Sequence, residues 1–213
     1  MSGELVIKSI VSSINKNDGR PLSIAVLASG NGSNLQALID CAKEPSSYYA
    51  IKAVIVNTKS SKALERAEKA CIKNFLIDHN DFRTKSGFEK KILGILLEEE
   101  IDLIVLAGFM RVLSPNFLGH FPNRIINLHP SLLPKHRGLD AINKALIAKD
   151  EMAGCTVHLV DAGLDTGPII AQASCPIFHH DNHESLKKRI QSLEHELLPK
   201  VVNLIAQSVL MRQ

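Results

Sequence analysis

The sequence contains little cysteine: 4 residues in 213, with no CxxC pair and no cysteine-rich stretch. A chain of this length buries a core without covalent cross-links, so a small disulfide-stabilised fold is excluded. We expect the widely spaced Cys41, Cys71, Cys155 and Cys175 to be reduced thiols.

Long apolar runs are also absent. Charged or polar residues interrupt every candidate, including residues 101–113, before it reaches the roughly 18 to 20 residues that cross a bilayer. Residues 1–20 carry scattered charges and only a short apolar patch at 5–7, which is unlike a secretory signal. The sequence therefore excludes a membrane-spanning helix and favours a cytoplasmic protein.

Charge of one sign is not in large excess. The 25 basic and 22 acidic residues are spread along the chain and give a net charge of +3, so no nucleic-acid-binding face is predicted. Hydrophobic residues make up 45% and charged residues 22%, and there is no internal repeat, low-complexity tract or interdomain linker. These proportions favour a single globular domain.

Short apolar runs alternate with segments of helical periodicity along most of the chain. The first runs are continuously apolar, which is typical of parallel strands covered by helices on both faces. The last two have only a short connection between them, which indicates an antiparallel edge. Strands are predicted at 22–28, 51–56, 74–77, 103–107, 124–128, 155–160 and 169–177.

We therefore expect an α/β fold. It is a doubly wound, Rossmann-like, mostly parallel sheet with helices on both faces and an antiparallel edge from the C-terminal part. From His183 onward, apolar residues recur at helical spacing and predict a long packing helix, which Pro199 is expected to kink.

A glycine-containing loop joins the first predicted strand to the first helix. Its sequence, Ser-Gly-Asn-Gly-Ser-Asn at residues 29–34, places glycines before a helix N-terminus, and free N–H groups there suit a phosphate. It is not a Walker loop, and Leu35 replaces the third glycine of the dinucleotide motif, so ATP and NAD are disfavoured. On the glycines alone, an ordinary turn with Ser33 or Asn34 as helix cap is an equal alternative.

Two further polar loops follow later predicted strands. They contain Ala-Gly-Phe-Met-Arg at 107–111 and Asn-Leu-His-Pro-Ser at 127–131, and open α/β sheets bind ligands at the edge where such loops meet. Each polar residue also has a structural interpretation: His129 as a core histidine and Asn127 as a turn residue. Asp165, in Gly-Leu-Asp-Thr-Gly-Pro at 163–168, is open to the same kind of interpretation, as the cap of its own turn. Convergence of the loops at one edge favours a functional site.

These side chains suit acyl transfer to an amine. An Asn amide and a His ring donate hydrogen bonds to an oxyanion, and an Asp orients the His or accepts protons through water. Because no Ser, Cys or Lys in these loops is placed as a covalent nucleophile, we favour direct attack by the acceptor amine over an acyl-enzyme.

Residue types that bind metals cluster at 179–184, before the last predicted helix. Their spacing matches none of the usual zinc signatures, so we expect no metal. Asp181 or Asn182 is instead interpreted as the cap of that helix.

Four ordered motifs give the chain a family resemblance from residue 22 to the C-terminus. They are Ser-Gly-Asn-Gly-Ser-Asn-Leu at 29–35, Ala-Gly-Phe-Met-Arg at 107–111, Asn-Leu-His-Pro-Ser-Leu-Leu-Pro at 127–134 and Leu-Asp-Thr-Gly-Pro at 164–168. In this order and spacing the chain resembles the phosphoribosylglycinamide formyltransferases, folate-dependent enzymes of purine synthesis. The resemblance implies one formyltransferase domain over residues 21–213, after an N-terminal extension at 1–20.

The resemblance also implies the reaction and its residues. The formyl group would move from the co-substrate 10-formyltetrahydrofolate to the amine of 5'-phosphoribosylglycinamide, with Asn127, His129 and Asp165 as the catalytic residues. Gly32, Ser33 and Asn34 would hold the ribose phosphate, Lys85 takes the place of a basic phosphate-side residue, Glu194 would hold the amine, and His158 would support the pterin or the catalytic Asp. The other implied contacts are Gly108, Pro130 and Gln191 for the ribonucleotide, and Met110, Arg111, Val112, Leu113, Val160, Asp161 and Leu164 for the folate.

The segment at 135–142 departs from the family pattern. Its His-Arg-Gly at 136–138 is closer to methionyl-tRNA formyltransferases and related folate hydrolases, which share the catalytic trio. The tRNA enzymes normally carry a second, basic domain, and none follows the last helix of this sequence, so we expect small-molecule substrates and no nucleic acid. We expect a monomer or homodimer. A formyltetrahydrofolate hydrolase, a methionyl-tRNA-type formyltransferase and a non-catalytic nucleotide- or folate-binding module remain open as alternatives.

Overall fold

Seven strands form one sheet in the computed structural model, which describes residues 2–14 and 19–212. The strands are β1 (Leu22–Ala28), β2 (Tyr49–Val56), β3 (Asn74–Leu76), β4 (Leu103–Leu106), β5 (Ile125–His129), β6 (Met152–Leu159) and β7 (Ile169–Pro176). Their order across the sheet is β3-β2-β1-β4-β5-β6-β7. All neighbours from β3 to β5 run parallel, whereas β5–β6 and β6–β7 are antiparallel.

Helices cover both faces of this sheet, which confirms the predicted fold class. They are α1 (Gly3–Ser13), α2 (Ser33–Ala42), α3 (Lys62–Lys69), α4 (Lys85–Glu98), α5 (Pro115–His120), α6 (Ala141–Ile147) and α7 (His183–Leu210). Alternate residues of β1 enter two separate hydrophobic clusters: Ile24 and Val26 belong to the cluster that includes residues of α1, α2, α3 and α7, while Leu27 belongs to the one that includes residues of α4 and α5. The continuous apolar runs of the sequence therefore reflect burial on both faces.

The expected N-terminal extension contains helix α1, which packs against β7 and α7. Val6 and Ile10 are fully buried, and Ile14, just after the helix, is nearly so. The Arg212 guanidinium donates hydrogen bonds to the carbonyl oxygens of Val11 and Ile14, satisfying acceptors that the end of a helix leaves open. Residues 1, 15–18 and 213 of the expected division lie outside the described residues.

Several element boundaries differ from those predicted. Strand β6 begins at Met152 rather than residue 155, because Met152 pairs with Pro176 and extends the antiparallel ladder through small residues with little apolar signal. The long helix predicted from His183 is present as α7, which continues through the buried Pro199. The Asn182 side chain caps α7 in a reciprocal arrangement with Ser185, as the sequence indicated. Among the described residues, no helix has the length and apolarity needed to cross a bilayer.

Candidate active site

Three loops meet at the carboxyl edge of β1, β4 and β5, which are adjacent in the sheet. Backbone and side-chain bonds join the first two loops: the Ser29 N–H donates to the Gly108 carbonyl oxygen at 3.1 Å, and the Met110 N–H donates to Ser29 Oγ at 2.9 Å. A cavity of about 570 Å³ opens at this edge. Its position is the one at which open α/β sheets bind ligands.

Asn127, His129 and Asp165 come together in this cavity. Asn127 and His129 lie at the end of β5, and Asp165 reaches them from the loop after β6, where its backbone is left-handed at φ 52°. His129 Nδ1 lies 3.3 Å from Asp165 Oδ2, and Asn127 Nδ2 lies 3.4 Å from Asp165 Oδ1. The carboxylate therefore faces both neighbours, one through each oxygen.

His158 supports this arrangement from the adjacent strand, where it pairs with Asn127 across the β5–β6 ladder. Its Nδ1 lies 2.7 Å from the Leu159 carbonyl oxygen, so Nδ1 carries a proton. Its Nε2 lies 3.1 Å from Asn127 Nδ2 and 3.6 Å from Asp165 Oδ1. In the neutral ring, Nε2 accepts a hydrogen bond from the Asn127 amide and orients it.

Asp165 is held in its ionised form. The nearby His158 ring, the Gly138 N–H and the charge of His129 lower the pKa of Asp165 from 3.8 to about 2, against the opposing effect of burial. The Gly138 N–H donates to Asp165 Oδ2 at 2.9 Å. This carboxylate is therefore an anion at neutral pH, suited to orienting a ring or a water rather than to donating a proton.

His129 lies between two oxygen acceptors. Burial lowers the pKa of His129, while the carbonyl oxygen of His136 and the Asp165 carboxylate act in the opposite direction. His129 Nε2 lies 2.9 Å from the His136 oxygen, and Nδ1 faces Asp165. A neutral ring has a hydrogen for only one of these acceptors, whereas an imidazolium satisfies both. Burial outweighs these two acceptors, so the resting ring is neutral, and the acceptors offset part of the cost of charging it when a proton arrives.

The loop at 29–34 ends in an open helix N-terminus. Gly32, not Ser33 or Asn34, is the N-cap of α2, and no side chain in the described part of the chain caps its first turn. Gly32 has φ 70°, and a Cβ there would lie 2.7 Å from the Cα of Ala63, so the position requires glycine. Ser33 and Asn34 are the first residues of the helix, whose N–H groups are free of side-chain caps and suit an anion.

A polar pair lines the cavity on the side of α2 and α7. Asn34 Nδ2 donates to Glu194 Oε2 at 2.9 Å, and Gln191 lies one turn earlier on α7. Burial raises the pKa of Glu194, partly offset by the Asn34 bond. Asn34 Oδ1 is buried and has no hydrogen-bond partner among the residues that the structure describes. A buried acceptor of this kind calls for a donor, which a bound ligand can supply.

A second side of the cavity is apolar. Met110, Val112 and Leu164 line it and are 64%, 55% and 55% exposed, whereas Leu113, which also lines it, is buried. The Asp161 carboxylate accepts bonds from the Gly163 N–H and the Thr166 hydroxyl, which shape the loop after β6. Every residue predicted to contact the folate lines the cavity: Met110, Arg111, Val112, Leu113, Val160, Asp161 and Leu164.

The predicted ribonucleotide contacts divide into two groups. Gly108, Pro130, Gln191, Glu194 and Asn34 line the cavity. Gly32, Ser33 and Lys85 do not. Gly32 and Ser33 lie next to it at the start of α2, whereas Lys85 starts α4 and lies 3.8 Å from the Glu89 carboxylate.

Some cavity residues were missed in the sequence. Leu139 and Ile142 line the cavity from the segment at 135–142. The departure of that segment from the family pattern was the only sign of its importance in the sequence. Gly138, in the same segment, holds Asp165 through its N–H. Lys187 and Ile190 line the cavity from α7, where helical spacing marked Ile190 only as a packing residue. Among residues 2–14 and 19–212, no three His, Cys, Asp or Glu side chains are grouped as metal ligands.

Comparison with known proteins identifies the family. Residues 22–202 match the model described as "Formyl transferase". The chain is 42% identical over 178 residues to the phosphoribosylglycinamide formyltransferase of Bacillus subtilis, covering 84% of this chain and 91% of that protein. It superposes on the glycinamide ribonucleotide transformylase 1 of Symbiobacterium toebii with a TM-score of 0.86, 39% identity and 90% coverage of each chain.

Longer relatives contain a similar segment. The trifunctional purine biosynthetic protein adenosine-3 of Chironomus tentans is 44% identical over 187 residues, which are 86% of this chain and 14% of that protein. This chain therefore spans about a seventh of the length of such relatives. The chain belongs to the formyl transferase family, and within it to the enzymes named phosphoribosylglycinamide formyltransferase.

Proposed function

We propose that this enzyme transfers the formyl group of 10-formyltetrahydrofolate to the amine of 5'-phosphoribosylglycinamide, giving N-formylglycinamide ribonucleotide and tetrahydrofolate. The observation that carries the proposal is the meeting of Asn127, His129 and Asp165 in a cavity with two unlike sides. One side offers an open helix N-terminus and a buried polar pair, and the other offers exposed apolar side chains.

The polar side fits a phosphorylated amine. The N–H groups at the start of α2, with Gly32 at its N-cap, bind the ribose phosphate. Glu194 is a carboxylate facing the cavity, and an ammonium or a hydroxyl offsets the cost of burying its charge. The unpartnered Asn34 Oδ1 takes a donor from the same substrate.

The apolar side fits a folate. Met110, Val112 and Leu164 pack against the flat ring system, and the backbone groups of the two loops that carry them give the ring its hydrogen bonds. Arg111, which is exposed at the cavity, pairs with a carboxylate of the glutamate tail. The formyl group of a folate bound in this way points toward the catalytic trio between the two sides.

The trio lowers the barrier to direct attack. The amine nitrogen bonds to the formyl carbon, and the bond from that carbon to the folate nitrogen breaks, so one proton passes from the amine to the leaving nitrogen. Negative charge develops on the formyl oxygen, which the Asn127 amide stabilises by hydrogen bonding and which the His129 ring, once it takes up a proton, stabilises by its positive charge. The Asn127 contact with Asp165, at 3.4 Å, is the longer of its two and is the one that the formyl oxygen replaces.

Asp165 assists the proton transfer without being protonated in the resting enzyme. Its low pKa keeps it anionic, so it stabilises the His129 imidazolium and orients a water that carries the proton between the two nitrogens. Replacing Asp165 by Asn keeps the shape of the site and removes this charge. We expect turnover to fall by at least about 100-fold with both Michaelis constants little changed.

The test is an absorbance assay for release of a tetrahydrofolate analogue from a 10-formyl donor, with and without the ribonucleotide. Mass analysis of the acceptor accompanies it. Release that requires the ribonucleotide and adds one formyl group to it supports the proposal. Release without any amine indicates a hydrolase, ligand binding without release indicates a binding module, and unchanged turnover in Asp165→Asn refutes the role of that residue.

A further inference from the structure

A single loop holds both ionisable members of the trio through its backbone. The carbonyl oxygen of His136 lies 2.9 Å from His129 Nε2, and the N–H of Gly138, two residues later, donates to Asp165 Oδ2 at 2.9 Å. His129 Nδ1 and the same Asp165 oxygen then face each other at 3.3 Å. The separation between the imidazole and the carboxylate therefore depends on where this loop lies.

The loop adopts a backbone that needs support. His136 has φ 53° and Gly138 has φ 75°, both in the left-handed region, which is costly for a residue with a side chain. The chain just before the loop is fixed to the sheet by Thr156 and Gln172, which bond to the carbonyl oxygens of Ser131 and Leu133. Those contacts end before His136, so another group must hold the loop itself.

Asp150 supplies that group. It follows α6, and its Oδ2 lies 2.7 Å from His136 Nε2 while its Oδ1 accepts from Lys135 Nζ at 3.1 Å. Its side chain is only 14% exposed and that of His136 only 17%. The hydrogen bond with His136 lowers the pKa of Asp150, so the carboxylate is charged at neutral pH. A further anchor of the loop, from Lys144 Nζ to the Arg137 carbonyl oxygen, comes from an exposed side chain.

We propose that Asp150 is a positioning residue for formyl transfer. By holding the His136 side chain, it places the His136 carbonyl oxygen against His129 and the Gly138 N–H against Asp165. Its effect on catalysis rests on the proposed function, whereas its effect on His129 does not. Asp150 does not line the cavity, so it acts on the trio without contacting either substrate.

Loss of the Asp150 contact has two consequences. The trio loses its spacing, and misplacement of catalytic groups by about 1 Å costs on the order of 100-fold in rate. His129 also loses an acceptor that favours its charged form, so its pKa falls further. The charged or titratable groups that face His129 are Asp165, His158 and Lys144, and the Asp150 substitutions change the identity of none of them.

The experiment compares Asp150→Asn and Asp150→Glu with Glu99→Gln. The control removes the Glu99 carboxylate, which has a similar exposure of 13% and pairs with Lys73. Glu99 lies at the end of α4, on the edge of the sheet opposite to that of Asp150. We expect Asp150→Asn to lower kcat by about 10- to 100-fold with both Michaelis constants within about twofold. Asp150→Glu keeps the carboxylate, and its kcat is expected within about fivefold of the wild-type value. Glu99→Gln leaves kcat unchanged.

A second readout needs no substrate. The pKa of His129 is measured by nuclear magnetic resonance of ring nitrogens, assigned with a His129 variant, and is expected to be lower in Asp150→Asn than in the wild type. His136→Asn, which tolerates the left-handed backbone, gives the same two effects, and the double variant is no worse than either single one. If Asp150→Asn fails to fold, His136→Asn alone carries the test.

The outcomes separate the two proposals. A wild-type enzyme that transfers no formyl group refutes the proposed function, while the His129 titration still tests the positioning. An active wild type whose Asp150→Asn variant keeps the kcat of the Glu99→Gln control overturns the positioning role. An unchanged His129 pKa in both Asp150→Asn and His136→Asn overturns the positioning role as well.

Discussion

Replacing Ile10 by Ala tests whether helix α1 belongs to the folded unit. Ile10 is fully buried against the sheet and α7, although it lies in the segment expected to be an extension. Leu5 on the same helix is 53% exposed and provides a matched control. Both substitutions remove a branched aliphatic side chain from a helix and introduce the residue with the highest helix propensity, so they differ mainly in burial.

The expected difference follows from that burial. Truncating a fully buried Ile to Ala costs about 2 to 5 kcal/mol of unfolding free energy, from lost transfer energy and the cavity left behind. We take about 3 kcal/mol, since α1 packs at the edge of the core. In a domain of this size each kcal/mol lowers Tm by about 2 to 4 °C, so Ile10→Ala lowers Tm by about 6 to 12 °C. Leu5→Ala changes stability by no more than about 0.5 kcal/mol.

Thermal and urea unfolding, followed by circular dichroism, measure both variants against the wild type. A single transition that moves only for Ile10→Ala means that α1 unfolds together with the sheet. Equal Tm values for Ile10→Ala and Leu5→Ala would refute the reasoning, because they would mean that the Ile10 site is not buried in solution.

Three further predictions concern the site. Burial raises the pKa of Glu194 above its ordinary 4.5, so its charge destabilises the fold increasingly as pH rises above that value. Glu194→Gln is therefore more stable than the wild type at pH 8 and equal to it at pH 4 by thermal unfolding, while its KM for the ribonucleotide rises. The charge of Asp165 has the opposite effect on stability. Because its pKa is lowered from 3.8 to about 2, the ionised carboxylate stabilises the fold above pH 3.8. The stability advantage of the wild type over Asp165→Asn, measured by acid titration, therefore disappears between pH 4 and 2. Gly32→Ala places a Cβ 2.7 Å from the Ala63 Cα at φ 70° and costs more than about 1 kcal/mol in urea unfolding. Gly30→Ala has a smaller effect, because no atom of the described residues lies within 4 Å of the new Cβ.

The sheet could be predicted because its signal is local. Strands buried on both faces must be continuously apolar, and β1, for example, is predicted with the bounds that the structure has. The start of β6 could not be predicted, because Ala153 and Gly154 are extended through their pairing with β7 rather than through an intrinsic strand propensity. Helix α1 did have a signal: Val6, Ile10 and Ile14 recur every four residues, but the short patch at 5–7 hides this spacing.

The site was predictable where its parts follow strands. Asn127 and His129 sit at the end of β5, beside the carboxyl ends of β1 and β4, so topology alone brings them to the edge where the glycine loop lies. The position of Lys85 relative to that edge depends on the path of the chain after β3, which no local pattern records. The structure places it at the start of α4, outside the cavity lining.

The groups that hold the trio belong to a different class of feature. Asn127, His129 and Asp165 are recognisable because their chemistry lies in their side chains, whereas the His136 carbonyl oxygen and the Gly138 N–H are groups that nearly every residue possesses. In this loop, the sequence determines how the backbone is held in place. That support comes from residues such as Asp150, which does not line the cavity. Variation between residues 135 and 150 can therefore change the charge and spacing of the catalytic residues while the trio itself stays intact.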